Sequence, residues 1–282
     1  MTTGASAPPG VEYRARGVYL EPADALVVAD LHVGRDRASN VELPMGERAD
    51  LTERLGTLVE HFDPAAVVLA GDVLHSLSSV PDGVETTLSA LRGVTRRVDA
   101  DLVAVRGNHD RLLPSLFEPT HDAYRLADGT LVLHGHERPP APAPRYVAGH
   151  DHPALEIDGQ RRPVCLFGEG VLPPSRVDRR DDASVGGHEW PLAGETGETG
   201  ETDETDETGE AGETGDRREA ADVLVLPAFS RLAAGAVCNG ASARDLRTPL
   251  VGDLDRFRPA VYDGASGETL WFPPLGEFRR LL

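Results

Sequence analysis

The sequence feature that most constrains the fold is a series of short apolar runs, each followed at once by polar residues. These runs cover 25–29, 66–70, 102–106 and 130–134. Short runs rich in Val and Leu are typical of strands buried on both faces. Between the runs, the spacing of apolar residues predicts helices over 45–61 and 84–98. The alternating order predicts a layered α/β fold, in which ligands commonly bind just past the strand ends.

Five polar motifs at these predicted strand ends contain the residues suited to chemistry. They are Asp30-Leu-His32, Gly71-Asp72-Val-Leu-His75, Gly107-Asn108-His109-Asp110, His134-Gly-His136 and Gly149-His150-Asp-His152. Any one of them is common in unrelated proteins, but five in succession are not. Their donors are nitrogen and oxygen without a thiolate, which suits Mn, Fe, Zn or Ni, and the number of imidazoles argues against Mg or Ca. The motifs therefore predict a metal site.

In this order the motifs resemble the signature of the calcineurin-like metallophosphoesterase superfamily, over residues 27–153. The resemblance implies an α-β-β-α sandwich and a dinuclear hydrolase that cleaves phosphoester bonds by attack of a metal-bridging hydroxide. It implies two divalent metal ions, with Mn as the first choice and Fe, Zn or Ni as alternatives. The implied ligands are Asp30, His32 and His152 for the first metal, Asn108, His134 and His150 for the second, and Asp72 as the bridge.

The remaining motif residues are expected to act on the substrate. His109 is expected to face the leaving group or a phosphoryl oxygen as a donor, with Asp110 holding its imidazole. The alternative for Asp110 is a turn former or a helix cap. His75 is expected to face the substrate, and His136 is expected either to face the substrate or to support the implied ligand His134 from behind.

Arginines beside the motifs are candidates to bind phosphate, because a guanidinium group can hold a phosphate through two hydrogen bonds. Four of them flank the motifs, namely Arg35, Arg106, Arg111 and Arg138. Arg35 and Arg111 are the first choices. The alternative is that each arginine pairs with a neighbouring acid of this acidic protein.

Finer sequence features resemble those of one branch of this superfamily, which includes the bacterial DNA-ligase-associated phosphoesterases and their archaeal relatives. These features are His75 in the second motif, Val33-Gly-Arg35 after the first, Gly149-His150-Asp-His152-Pro153, and Leu226-Pro-Ala-Phe229. The branch implies a phosphodiesterase acting on nucleotides or nucleic-acid ends, with a homodimer and DNA-processing proteins as candidate partners. A small-molecule phosphomonoesterase stays open, as does a non-catalytic protein-binding scaffold on the same fold. All seven implied ligand positions carry residues able to bind metal, which favours the enzyme over the scaffold.

The charge of the chain disfavours a basic nucleic-acid-binding module. It has 47 acidic and 28 basic residues and a net charge of -19, and every basic residue is Arg. Ten acids lie in a Glu-Thr-Gly repeat over 194–216, and removing their charges from -19 leaves -9 for the rest. An acidic chain without Lys favours a halophilic protein. The absence of a leader-like or membrane-spanning apolar run predicts a cytoplasmic protein with no membrane contact.

The predicted organisation is one domain with an insertion. It comprises a flexible N-terminus over 1–15, a core over 16–175, a disordered acidic insertion over 176–220 and the rest of the same domain over 221–282. The repeat is expected to be a solvated loop expansion, with binding of cations or a basic partner as the alternative. An Asp263-Gly264 turn signal predicts a hairpin, and Cys165 and Cys238 are expected to be buried.

Overall fold

Two β-sheets pack against each other in the computed structural model, which describes residues 6–38, 46–178, 185–188 and 220–279. The first sheet has six strands in sequential order: β1 (Val11–Arg14), β2 (Gly17–Leu20), β3 (Ala25–Val28), β4 (Ala66–Ala70), β5 (Asp101–Val105) and β6 (Thr120–His121). Strands β3 to β6 are parallel, whereas β1 and β2 form an antiparallel hairpin at the edge. The predicted strands at 25–29, 66–70 and 102–106 are thereby confirmed within a residue or two.

The second sheet has ten strands. They are β7 (Ala123–Arg125), β8 (Leu131–Leu133), β9 (Arg145–Ala148), β10 (Pro153–Ile157), β11 (Gln160–Leu172), β12 (Val185–Gly187), β13 (Ala221–Val225), β14 (Ala236–Val237), β15 (Arg258–Asp263) and β16 (Glu268–Trp271). Their order is β12-β7-β8-β9-β13-β11-β10-β14, with β15 on β11 and β16 on β15. Because β13 lies between β9 and β11, residues after the acidic repeat complete the sheet. The β15–β16 hairpin confirms the turn predicted at Asp263-Gly264.

The helices lie outside the two sheets. They are α1 (Arg35–Ala38), α2 (Glu47–Phe62), α3 (Val84–Thr95) and α4 (Leu275–Phe278). Helices α2 and α3 bury Leu51, Leu55, Leu88 and Leu91 against the outer face of the first sheet. A second apolar cluster joins the facing sides of the two sheets, and a third covers the outer face of the second sheet with Leu254, Leu275 and Phe278. The layers confirm the predicted α-β-β-α sandwich, although the helical layer on the second sheet is thin.

Two predicted boundaries are wrong. Residues 11–14, assigned to a flexible N-terminus over 1–15, form β1, because Val11 and Tyr13 alternate into the core between the sheets. Strand β12 lies inside the predicted insertion over 176–220 and pairs in parallel with β7. The predicted disorder of the repeat over 194–216 concerns residues outside those that the structure describes. Among the described residues, no helix is long and apolar enough to cross a membrane.

Candidate metal centre and active site

All seven predicted ligands lie in loops that leave the carboxyl ends of five strands and meet at one edge of the two sheets. Strands β3, β4 and β5 of the first sheet end just before Asp30, Asp72 and Asn108, respectively. Strands β8 and β9 of the second sheet end just before His134 and His150. The site therefore lies between the two sheets, and neither sheet could form it alone.

The first ligand group consists of Asp30, His32 and His152. Their donor atoms lie within 4.8 Å of one another. Nε2 of His32 is 3.3 Å from Nε2 of His152, and the latter is 3.3 Å from Oδ1 of Asp30. These three residues are the set predicted to hold the first metal, and the structure brings them together.

The second group is centred on His134, which is fully buried. Its Nε2 is 3.0 Å from Oδ1 of Asn108 and 3.0 Å from Nδ1 of His150. The same atom is 3.5 Å from Oδ1 of Asp72. Asn108, His134 and His150, the set predicted for the second metal, thus point at one region beside Asp72.

Asp72 lies between the two groups, as a bridging carboxylate requires. It shares one cluster of donor atoms with His32 and His109 and another with Asp30 and His134. Burial raises the pKa of Asp72 to about 7, although a hydrogen bond from the backbone of His109 opposes that rise. A buried carboxylate of this kind needs positive charge nearby to stay ionised.

The residues present fit divalent cations. Oδ1 of Asp30 is buried without a hydrogen-bond partner among the described residues, yet it faces ring nitrogens of His134 at 3.6 Å and His152 at 3.3 Å. Burial lowers the pKa of His32 to about 2 and that of His134 well below its usual value. Both rings are therefore neutral at physiological pH, which is the state that binds metal. A cation would satisfy these clustered lone pairs, which would otherwise be left unpaired.

Five of the predicted ligands have an unusual backbone. The φ angles are positive in Asp30 (55), His32 (49), Asp72 (45), His150 (72) and His152 (47). Non-glycine residues rarely adopt this left-handed region, and such strain is concentrated at functional sites. The surrounding hydrogen bonds maintain it: the N–H of Asp30 donates to the carbonyl of Gly71, and that of His150 donates to Oδ2 of Asp30.

Two motif glycines are required by close approach. A Cβ on Gly107 would lie 2.2 Å from Oδ1 of Asp72, and one on Gly149 would lie 2.3 Å from Oδ2 of Asp30. Each distance is far below contact. The glycine of one motif therefore makes room for the carboxylate of another that is predicted to bind metal.

His109 sits beside the metal-ligand cluster with a fixed ring. The backbone N–H of His109 donates to Oδ1 of Asp72 at 2.9 Å. The carbonyl of His75 can only accept, so Nδ1 of His109, 2.9 Å away, carries the proton. Nε2 then lies 3.9 Å from Oδ2 of Asp72, and the side chain is 29% exposed. A substrate bound at the carboxylates would meet this nitrogen.

Asp110 does not hold the imidazole of His109, contrary to the expectation. Its carboxylate is buried and accepts hydrogen bonds from the N–H groups of Val73 (3.0 Å), Leu74 (2.8 Å) and Gly107 (2.8 Å). The alternative of a turn former is the one observed. The hydrogen bonds of this carboxylate go to backbone N–H groups, and the ring of His109 is held instead by the carbonyl of His75.

The histidines expected to face the substrate lie at the rim. The ring of His75 stacks on His109 with centroids 6.3 Å apart and meets His32 edge to face at 5.7 Å. The side chain of His136 is 33% exposed, and its ring lies 5.2 Å from that of His134. Burial lowers the pKa of both His75 and His136.

A cleft of about 440 Å³ opens beside Asn108 and His134. Arg106, Arg111 and Arg138 line it. Arg106 forms an ion pair with Asp122, as the alternative for these arginines anticipates. Among the described residues, Arg111 takes part in no ion pair, so its guanidinium is available to an anion in the cleft. Arg35 lies near His32 and is not among the residues that line the cleft. The pKa of His32 is lowered mainly by burial, then by the charge of His152, and then by the charge of Arg35.

Two supporting carboxylates were not anticipated from the sequence. Asp151, buried between two ligands, accepts hydrogen bonds from the N–H groups of Arg247 and Thr248 at 2.8 and 3.0 Å. Glu47 accepts from those of Gly34 and Arg35 at 2.7 and 3.0 Å. Asp151 could have been identified from the sequence, because it lies between His150 and His152 in the fifth motif. Glu47 lies outside the five motifs, so the sequence around it gave no indication of its role.

Comparison with known proteins gives a family and a fold. The family model described as calcineurin-like phosphoesterase matches residues 24–191. Among solved structures, the crystal structure of Pseudomonas putida nuclease MPE is similar, with a TM-score of 0.54 and 19% sequence identity over 93% of this chain and 94% of that one. No curated protein matches the sequence.

Proposed function

The chain belongs to the calcineurin-like phosphoesterase family and is a hydrolase acting on phosphoester bonds, and we propose that it is a dinuclear phosphodiesterase that acts on nucleotides or nucleic-acid ends. One observation carries this proposal. Seven oxygen and nitrogen ligands from both sheets converge around Asp30 and Asp72, with the buried Oδ1 of Asp30 left for a cation to satisfy. A non-catalytic scaffold would have no need for this strained and buried ligand set.

The proposed roles of the ligands follow their grouping. Asp30, His32 and His152 hold one cation, Asn108, His134 and His150 hold the other, and Asp72 contributes to both. When bound, the cations polarise a phosphoryl oxygen and make water a stronger nucleophile at neutral pH. Mn is our first choice of metal, because mixed imidazole and carboxylate donors without a thiolate suit it.

His109 is proposed as the proton donor to the leaving oxygen. The hydrogen bond from Nδ1 to the carbonyl of His75 holds the ring in one orientation. To act as the donor, the ring carries a second proton on Nε2, which faces the substrate and passes to the leaving oxygen, while Nδ1–H stays bonded to His75. The distance of 3.9 Å from Nε2 to Oδ2 of Asp72 places this nitrogen at the edge of the ligand cluster. A donor at this position lowers the barrier for expulsion of an alkoxide.

The cleft is proposed to hold the part of the substrate beyond the reacting phosphate. Arg111 and Arg138 offer guanidinium groups to a phosphate oxygen there, and His136 lines the same cleft with its ring 5.2 Å from that of His134. The cleft has room for the second esterified group that a diester carries, which supports the diesterase. The neighbouring structure is titled a nuclease, and we extend that substrate class to this chain as part of the proposal.

The branch that includes the DNA-ligase-associated phosphoesterases is proposed on one further contact. In Leu226-Pro-Ala-Phe229, the N–H of Phe229 donates to the carbonyl of Ala29 at 2.7 Å, directly before the ligand Asp30. The segment thus lies against the site, in keeping with its place among the features of that branch.

The experiment that tests the function compares bis-p-nitrophenyl phosphate with p-nitrophenyl phosphate, each with Mn, Ni, Zn or Mg added to metal-stripped protein. We expect metal-dependent turnover that is faster on the diester. Asp72→Asn should abolish it, whereas the matched control Asp158→Asn, in an exposed turn with φ of 51, should not. Preference for the monoester would contradict the diesterase, and a protein without bound metal or turnover would be the scaffold.

A further inference from the structure

The turn between β1 and β2 contains a strained arginine. Ala15 and Arg16 form a two-residue hairpin turn in which both φ angles are positive, 46 and 74. Such turns favour Asn-Gly, because a side chain beyond Cβ is disfavoured in the left-handed region. A residue held in this conformation calls for a compensating interaction elsewhere.

The guanidinium of Arg16 makes that interaction 212 residues along the chain. Nη1 donates to the carbonyl of Ala228 at 2.9 Å and to that of Ser230 at 2.8 Å. Burial lowers the pKa of Arg16 to about 10, so the group remains charged at neutral pH. One nitrogen thus fixes two carbonyls on either side of Phe229.

The segment that Arg16 holds is itself bonded to both ligand-bearing sheets. The N–H groups of Phe229 and Ser230 donate to the carbonyls of Ala29 and Asp30 at 2.7 and 3.2 Å. The N–H of Leu226 donates to the carbonyl of Ala148 at 2.7 Å, two residues before the ligand His150. The segment 226–230 therefore connects the loop of Asp30 in the first sheet with the loop of His150 in the second.

The ring of Phe229 is fixed from its other side. The guanidinium of Arg54 lies over it, 4.2 Å from the centroid, and is itself paired with Asp50 at 2.6 Å. Because Arg54 of α2 holds the ring, the part of segment 226–230 that could still shift is its backbone. Arg16 restrains that backbone at the two carbonyls that flank the bonds to Ala29 and Asp30.

We propose that Arg16 is a positioning residue for the metal centre: through segment 226–230 it fixes the loop of Asp30 relative to that of His150. The role rests on the metal binding proposed above. Asp30 is where a displacement would act first, because its Oδ2 accepts from the N–H of His150 and its Oδ1 faces two imidazoles. Loss of partners that orient metal ligands typically weakens metal affinity by 10 to 100 fold.

Arg16→Gly separates this role from a role in the turn alone. Glycine relieves the positive φ, which offsets part of the stability lost with the two hydrogen bonds, so the variant should still fold. It removes both hydrogen bonds, so we expect the Kd for Mn²⁺, measured by calorimetric titration of metal-stripped full-length protein, to rise about tenfold. Arg16→Met, which keeps the aliphatic stem, should show the same weakening, and Arg16→Lys should restore part of the affinity.

Arg14→Ala is the matched control, since Arg14 lies in the same hairpin but donates to Gly267 and not to segment 226–230. Its Kd should equal that of the wild type. Wild-type affinity in folded Arg16→Gly or Arg16→Met overturns the positioning role, and so does failure of both variants to fold, which would make Arg16 a general stability residue. Absence of Mn²⁺ binding by the wild type itself would instead refute the proposed function.

Discussion

The backbone N–H of His109 donates to Oδ1 of Asp72 at 2.9 Å, which joins the proposed proton donor to the shared ligand. The connection is reciprocal, because the carboxylate next to His109, that of Asp110, accepts from the N–H groups of Val73 and Leu74, next to Asp72. The loop after β4 and the loop after β5 thus donate hydrogen bonds to each other. These bonds hold Asp72 and His109, which come from different loops, in a fixed relative position.

Asp110→Asn tests this exchange. An amide offers one acceptor oxygen where three N–H groups converge, and its NH₂ group would face a donor. Because the site is buried, we expect the free energy of unfolding to fall by roughly 1–3 kcal/mol in urea titrations, with a lower kcat as Asn108 and His109 shift. Asp82→Asn, at an exposed position, is the control. Unchanged stability and kcat in Asp110→Asn would show that the carboxylate is dispensable.

His109→Gln should lower kcat by about 10²–10⁴ and leave Mn²⁺ affinity unchanged, because the hydrogen bond to Asp72 comes from the backbone. The loss should be larger for a nucleotide diester than for a p-nitrophenyl ester, whose leaving group needs little protonation. Initial rates with both substrates measure the difference. His61→Gln on the outer surface of α2 is the control, and an equal loss on both substrates would argue against proton donation.

That the predicted ligands meet in one place was predictable from the sequence, because each motif sits at the end of an apolar run and parallel strands end at a common edge. Asp30, Asp72 and Asn108 follow consecutive strands β3, β4 and β5, so their meeting follows from topology. The same logic located His134 and His150 after β8 and β9. What it could not specify is that two separate sheets supply the two halves of the site.

Long-range contacts account for what the sequence did not predict. Asp110 was expected to act on its neighbour His109, but its partners Val73 and Leu74 lie 37 and 36 residues away. The bonds from Arg16 to Ala228 and Ser230 cross more than 200 residues. Neither has a local signature, because hydrogen bonds to backbone groups place no demand on the identity of the partner side chain.

Gly107→Ala should disrupt the proposed metal centre, whereas the same substitution at Gly93 in α3 should be tolerated. The new Cβ would lie 2.2 Å from Oδ1 of Asp72, so either the carboxylate or the loop must move. We expect Mn²⁺ affinity to fall at least tenfold and thermal stability to drop. Gly93→Ala in α3, where a Cβ meets nothing within 4 Å, should gain up to about 1 kcal/mol. Wild-type affinity in Gly107→Ala would show that the loop has room.

Arg111→Ala should raise KM for an oligonucleotide and leave that for bis-p-nitrophenyl phosphate nearly unchanged. The reason is that Arg111 lines the cleft beside Asn108, where the rest of a longer substrate would lie. Removal of one phosphate contact should also reduce the salt dependence of oligonucleotide binding by about one unit of slope. Arg106→Ala is the comparison, because its charge is already paired with Asp122. Equal KM values in wild type and Arg111→Ala would remove this residue from the substrate site.

The two cysteines should be inert in the native protein and should make it less stable at alkaline pH. Burial raises the pKa of the Cys165 thiol and raises that of Cys238 to about 11, so neither is a thiolate at pH 8. Ellman's reagent should therefore release no colour until denaturant exposes both thiols.

The sign of the pH effect follows from the same shifts. An unfolded thiol ionises above about pH 8.5 while the folded thiol keeps its proton, so the unfolded chain binds fewer protons and stability falls as pH rises. Between pH 8.5 and 9.5 the unfolding free energy should drop by about 1 kcal/mol per buried thiol. A Cys165→Ala, Cys238→Ala double variant should lose this part of the slope in urea titrations at successive pH values. Rapid reaction of the native protein at pH 8, or an identical slope in the variant, would show that the thiols are not buried as the structure has them.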